Sequence, residues 1–234
     1  PASHTLTVRD PRGELRRYPY WEDAKGYRYF FQARRDDLVR AYLADKVREL
    51  ALLSALTGER AHARRAALLL DRFARVFPGW CYHYDYPFKP KEIESGDLRP
   101  SGFRPHFRTA RWSWWAYKDI PEPLLHAYDW IRGTGIFAEL SREKGTDVAA
   151  RVENDLFRNA AEQVLANSEE YTNMSPAAWR SLVAVGRIIR EPRYVHEVAR
   201  RIRQFVGTRF FYDGSWPEGS PDYANQSVSW LDRV

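Results

Sequence analysis

At 234 residues, with 44% hydrophobic and 29% charged positions, the chain can bury one large core and is too apolar to be wholly disordered. No apolar run approaches the roughly 18–20 residues that span a bilayer, and the single cysteine, Cys81, excludes an intramolecular disulfide and a cysteine-rich metal site. A net charge of +6 carried mainly by arginine, with nine tryptophans, suits an extended anionic polymer: guanidinium forks grip carboxylate, sulfate or phosphate, and indoles stack on rings.

Residues 1–35 are polar and mixed, with a turn at Pro11-Arg-Gly13, and are expected to be extended or irregular segments packing on the body. From Asp36 the spacing of Leu38, Ala41, Tyr42, Val47, Leu50, Leu53 and Leu56 predicts a helix that stops at Gly58. A second helix is expected from Glu59 to Phe77, before Pro78-Gly79. Residues 78–120, with five prolines and the cluster Trp112, Trp114, Trp115 and Tyr117, read as irregular. Helices are then expected from the prolines at 121 and 123 to near Gly133, from about Asp147 to Asn167, from the Ser175-Pro176 cap to Arg190, and from Pro192 to about Val206.

The segment Glu59–Ala74 lies over Glu191–Val206 without gaps, matching Ala66 with Val198, Leu70 with Ile202 and Phe73 with Phe205. Each follows another helix across a short turn. Repeated helical hairpins bury their faces only by stacking side by side, straight into a solenoid or curved towards a toroid, so the expected fold is all-α, with long aromatic-rich loops between helices.

The segment Asp213–Gln226 follows Phe210-Phe-Tyr212 and holds two glycines, two prolines, three carboxylates, Trp216 and Tyr223 in fourteen positions. That density of glycine and proline predicts irregular backbone, and loops on a rigid scaffold concentrate functional groups. No glycine-rich phosphate loop, metal-binding histidine pair or nucleophile elbow is present. Of the six histidines, His62, His126 and His196 fall in predicted helices, while His83 and His106 fall in the aromatic-rich irregular region.

Three stretches carry a resemblance: Leu50 to Ala74 with its Thr57-Gly58-Glu59 turn, Trp114-Trp-Ala-Tyr-Lys-Asp-Ile-Pro121 leading into Leu124-Leu-His-Ala-Tyr-Asp129, and above all Asp213-Gly-Ser-Trp-Pro-Glu-Gly-Ser-Pro-Asp-Tyr223. The last is similar to the Asp-Gly-x-x-x-Glu-Gly-Ser-x-x-Tyr stretch of the heparinase II/III-like polysaccharide lyases. The resemblance runs from about residue 36 and implies a toroid over residues 36–234, incomplete, with the family's C-terminal β-sandwich and the metal it can hold lying outside the sequence. It implies cleavage of an acidic polysaccharide, alginate-like or glycosaminoglycan-like, by β-elimination. Asn173 would neutralise the C5 carboxylate and Tyr223 would serve as general base or acid. Candidates for substrate contact are His106, Arg111, Trp112, Trp115, Trp216 and Glu218. No cofactor, metal, nucleic acid or membrane is expected, and the family's setting is secreted or periplasmic.

A neutral amide bonded to the substrate carboxylate stabilises the enolate-like charge that develops as the C5 proton leaves. A phenol, with pKa of about 10, is a poor base at neutral pH unless a nearby cation favours the phenolate. The chain departs from the family in having Met174 where many members carry histidine after the asparagine, and Ala224 where many carry histidine after the tyrosine. Two other readings stand beside the lyase: a toroidal glycoside hydrolase using Asp213, Glu218 and Asp222 as paired carboxylates, and a glycan-binding domain without catalysis.

Overall fold

The computed structural model describes residues 4–84, 92–94, 120–165, 173, 175–232 and 234. It is mostly helical, with a small antiparallel sheet at the N-terminus. The extended or irregular segments expected over residues 1–35 are paired strands, a sheet that was not anticipated. Strands β1 (His4–Arg9), β2 (Leu15–Glu22) and β3 (Arg28–Tyr29) pair in the order β1-β2-β3, with His4 opposite Tyr20 and Trp21 opposite Tyr29.

Both hairpins are closed by the same device. In Asp10-Pro-Arg-Gly13, Asp10 Oδ1 accepts from the amides of Arg12 and Glu14, each at 2.9 Å. In Asp23-Ala-Lys-Gly26, Asp23 Oδ1 accepts from Lys25 and Tyr27 at the same distance. Gly13 and Gly26 take φ of +86° and +80°, where a β-carbon would be strained. An aspartate is followed three residues later by glycine in both turns, at a spacing of 13, but only the first stands out in sequence, by its proline. A small core of Phe30, Ala33 and Cys81, with Leu6, Val8, Tyr18 and Tyr20 against it, fastens the sheet to the helices.

Helix α1 (Phe31–Thr57) begins five residues earlier than the apolar spacing indicates and ends at Gly58 in the left-handed conformation, whose amide bonds to Ser54 O. Helix α2 (Arg60–Val76) turns Ala63, Ala66, Ala67, Leu70, Phe73 and Ala74 inward; the alanines let it lie close against α1. A 3₁₀ turn, Phe77–Gly79, follows. The backbone then forms a two-stranded antiparallel pair, β4 (Tyr82–Tyr84) with β5 (Glu92–Glu94), inside the stretch expected to be irregular.

Helix α3 (Glu122–Ile131) opens at the expected prolines. Helix α4 (Ile136–Lys144) has no counterpart among the sequence-predicted elements. The helix end was expected near Gly133, but Gly135, at φ +79°, begins another helix two residues on, burying Ile136, Phe137 and Leu140. Helix α5 (Val148–Arg151), capped by Asp147 Oδ1 on the Ala150 amide, runs into a π-helical stretch (Val152–Arg158) and on into α6 (Asn159–Leu165). Together they are the helix predicted from about 147 to 167.

Helices α7 (Ser175–Ile188) and α8 (Pro192–Arg209) make a tight hairpin. A β-carbon at Gly186 would stand 3.0 Å from Glu191 O and 3.2 Å from Tyr194 Cβ, so only glycine allows this approach. Helix α9 (Pro221–Leu231) completes the described chain.

The helices surround one continuous apolar core. Helix α1 packs on α2 and α3, α3 on α7, and α7 on α8 and α9. Helix α2 also packs on α3, α4, α5 and the π-helical stretch. The two gaplessly matched segments are thus second helices of hairpins, α2 after α1 and α8 after α7, each preceded by a glutamate and burying Ala66 or Val198 and Phe73 or Phe205. Ion pairs join further helices. The bidentate pair Arg64–Glu143 joins α2 to α4 at 2.7 and 2.8 Å, and Arg158–Glu191 at 2.5 Å joins the π-helical stretch to the start of α8.

Candidate functional site

The segment from Asp213 to Tyr223 consists of two turns and the first turn of a helix. Gly214 (φ +82°) donates to Phe211 O at 2.8 Å, and Phe211 donates to Ser215 O at 2.9 Å, closing the first turn. Asp213 Oδ1 accepts from the Ser215 amide at 2.9 Å. Gly219 (φ +64°) donates to Trp216 O and closes the second. Both glycines of the motif are therefore there for backbone conformation.

Trp216 anchors the loop. It is 4% exposed, its ring 5.6 Å from that of Phe205 and 5.4 Å from that of Phe210, and its indole N–H donates to Glu218 Oε2 at 3.0 Å. The expectation of sugar stacking by Trp216 gives way to core packing, because Phe205 and Phe210 crowd its buried ring. Glu218 correspondingly holds the anchor in orientation.

Irregular backbone was expected through Gln226, but it ends at Ser220. The Ser220 hydroxyl accepts from the Tyr223 amide, Pro221 occupies the first helical position and Asp222 sits in the positive first turn of α9. This Ser-Pro pair repeats the one at Ser175-Pro176, where Ser175 is already the first residue of α7. Ser220→Ala is expected to cost about 1 kcal/mol, measured as a fall of a few degrees in Tm.

Tyr223 therefore stands on a helix, 47% exposed. Its carbonyl accepts from the buried Ser227 hydroxyl at 2.9 Å, while among the described residues its own hydroxyl has no bonded partner. Asn173 lies just before α7, 8% exposed, and its Nδ2 donates to Gln226 Oε1 at 3.0 Å. Gln226 is one helical turn beyond Tyr223, on the same side of α9. The structure thus ties Asn173 to the helix that carries Tyr223, fifty residues later in sequence.

Gln226 is the residue that sequence reasoning passed over, since a helix starting at Pro221 is needed before its i+3 relation to Tyr223 has meaning. His106, Arg111, Trp112 and Trp115 lie outside the described residues, as does Met174.

Asp213 does not have the electrostatics of a glycosidase general acid. Asp213 is exposed, and the hydroxyl and amide of Ser215 hold its carboxyl below the usual range. A glycosidase general acid needs the opposite, a carboxyl kept protonated near neutrality. Glu218 is occupied by the Trp216 indole.

Among the described residues, no three His, Cys, Asp or Glu side chains converge on a point that could hold a metal ion. None of the described helices is long and apolar enough to cross a membrane. Compared with family models, with curated proteins and with solved structures, the chain has no match in any of the three.

Proposed function

We propose that the chain is the helical part of a polysaccharide lyase that cleaves a uronate-containing acidic polysaccharide by β-elimination, its hairpins curving towards an (α/α) toroid. The observation that carries this reading is the hydrogen bond from Asn173 to Gln226, one turn from Tyr223 on α9. It ties the Asn173 amide to the helix that carries the Tyr223 phenol, and an amide and a phenol are the two groups the proposed elimination uses.

One Asn173 N–H is used on Gln226, which fixes the amide plane; the other has no partner among the described residues and would donate to the uronate carboxylate. The C5–H bond breaks and its electron pair spreads into that carboxylate, where the neutral donor stabilises it. Tyr223 takes the proton or returns one to the C4 oxygen. The C4–O bond breaks as the C4=C5 double bond forms, leaving an unsaturated uronyl end. A net charge of +6 favours approach of such a polymer. A secreted or periplasmic setting goes with that substrate and is part of the proposal.

The test is digestion of alginate, hyaluronan, chondroitin and heparan sulfate by the full-length protein, followed by ultraviolet absorbance of the unsaturated product. New absorbance with at least one polymer is the expected result. Reducing ends without unsaturation, or no product from any polymer, would overturn the reading.

A further inference from the structure

A cleft of about 830 Å³ lies between the N-terminal sheet and the α1–α2 hairpin. Five arginines line it: Arg12 and Arg16 from the first hairpin, Arg40 from α1, and Arg72 and Arg75 from α2. Three of these are paired with acids. Arg16 binds Asp10 at 2.8 Å and Glu14 at 2.7 Å, Arg40 binds Asp37 at 2.9 Å, and Arg75 binds Asp71 at 3.1 Å. Among the described residues Arg12 and Arg72 have no acidic partner, and Asp36, which also lines the cleft, is held by Arg35 at 2.9 Å. The cleft therefore keeps an excess of positive charge.

Its shape suits a ligand with a flat apolar body. Leu43, Leu69 and the half-buried Trp80 supply an apolar surface between the arginines. Gly79 lets the first hairpin come close at one edge: a β-carbon there would stand 3.2 Å from Asp10 Oδ2 and 3.6 Å from both Arg12 Cδ and Arg16 Nη2. Like charges converging on one hollow repel each other, and a bound anion offsets that cost. Guanidinium forks match the paired oxygens of carboxylate, sulfate or phosphate, and an indole face matches a ring. The volume lies within the range of small-molecule sites, about 300–1,000 Å³.

We propose that this cleft binds a small organic oxyanion, a carboxylate, sulfate or phosphate carried on a ring. The cleft shares no residue with the Asn173–Tyr223 site, so the inference does not rest on the lyase reading.

Calorimetric titration of the full-length protein with a uronate disaccharide, a sulfated disaccharide, adenosine monophosphate and inorganic sulfate tests it. At least one ring compound is expected to bind more tightly than inorganic sulfate, and which one binds identifies the source of the anion. Arg12→Gln and Arg72→Gln are each expected to weaken that binding about tenfold. Both side chains are exposed, so Tm should stay unchanged, and Tyr223→Phe should leave the binding intact. Absence of binding by every ring compound, inorganic sulfate binding as tightly as all of them, or undiminished binding by the Arg12→Gln/Arg72→Gln double variant would each overturn the proposal.

Discussion

Tyr223→Phe is expected to lower kcat for uronate elimination by about 10²–10⁴-fold, with little change in KM. The substitution removes one oxygen from a half-exposed ring whose hydroxyl bonds to no described residue, so folding should be untouched. Asn173→Ala is expected to cost about 10²–10³-fold, the scale of losing one donor to a developing negative charge. Gln226→Leu separates positioning from chemistry. It leaves the Asn173 amide in place but without the acceptor that orients it, so kcat should fall by about tenfold, the cost of a mispositioned donor, with KM held. Initial rates of ultraviolet absorbance across a range of polymer concentrations give kcat and KM for all three. Equal activity in Tyr223→Phe and the parent chain would remove the tyrosine from the mechanism, whatever the fate of the asparagine variant.

The largest effect on stability is expected at Asp71, which is far from Tyr223 in the sequence. Its carboxylate, 2% exposed, joins three helices: Arg75 of α2 at 3.1 Å, Lys144 of α4 at 2.5 Å and Arg151 of α5 at 2.6 Å. Asp71→Ala leaves Lys144 and Arg151, both largely buried, without their counter-ion. Breaking a buried pair from one side costs about 3–5 kcal/mol; the partial exposure of the cations argues for the lower end, about 3 kcal/mol. For a domain of this size that is a fall in Tm of about 10 °C.

The acid dependence of Asp71 follows from the direction of its shift. Burial pushes its carboxyl up, but the hydrogen bonds from Lys144, Arg151 and Arg75 together hold it below the usual value. A carboxyl depressed in the folded state adds stability that is fully present above its unfolded pKa, about 3.9. That contribution is lost as the pH falls through the lower folded value. Stability curves of Asp71→Ala and the parent chain should therefore run apart at neutral pH and converge below about pH 4. Urea unfolding at a series of pH values measures the gap; curves parallel down to acid would show that the carboxylate charge is not what joins the helices.

Helices α2 and α8, the stops at Gly58 and before Pro78, and the start of α7 at Ser175-Pro176 were legible in the amino-acid order. Each is set by residues within one or two turns of each other, through apolar spacing, a left-handed glycine or a cap. The N-terminal hairpins and α4 were hidden. Their signals are short, and a pair of glycines that ends one helix can equally open the next. The loop motif at Asp213–Tyr223 was also visible in sequence, but its division of labour was not. Only the packing of Phe205 and Phe210 around Trp216 makes that indole an anchor and gives Glu218 the task of holding it. Whether Asn173 belongs with Tyr223 depends on α7 lying against α9, a contact between segments fifty residues apart. The convergence of Arg12 and Arg72 on one cleft likewise depends on the sheet folding back over α1 and α2. Local order fixes caps, turns and the buried stripe of each helix, because those energies act between near neighbours along the chain. Which side chains meet is decided by burial of the shared core, which acts between surfaces and is blind to sequence distance.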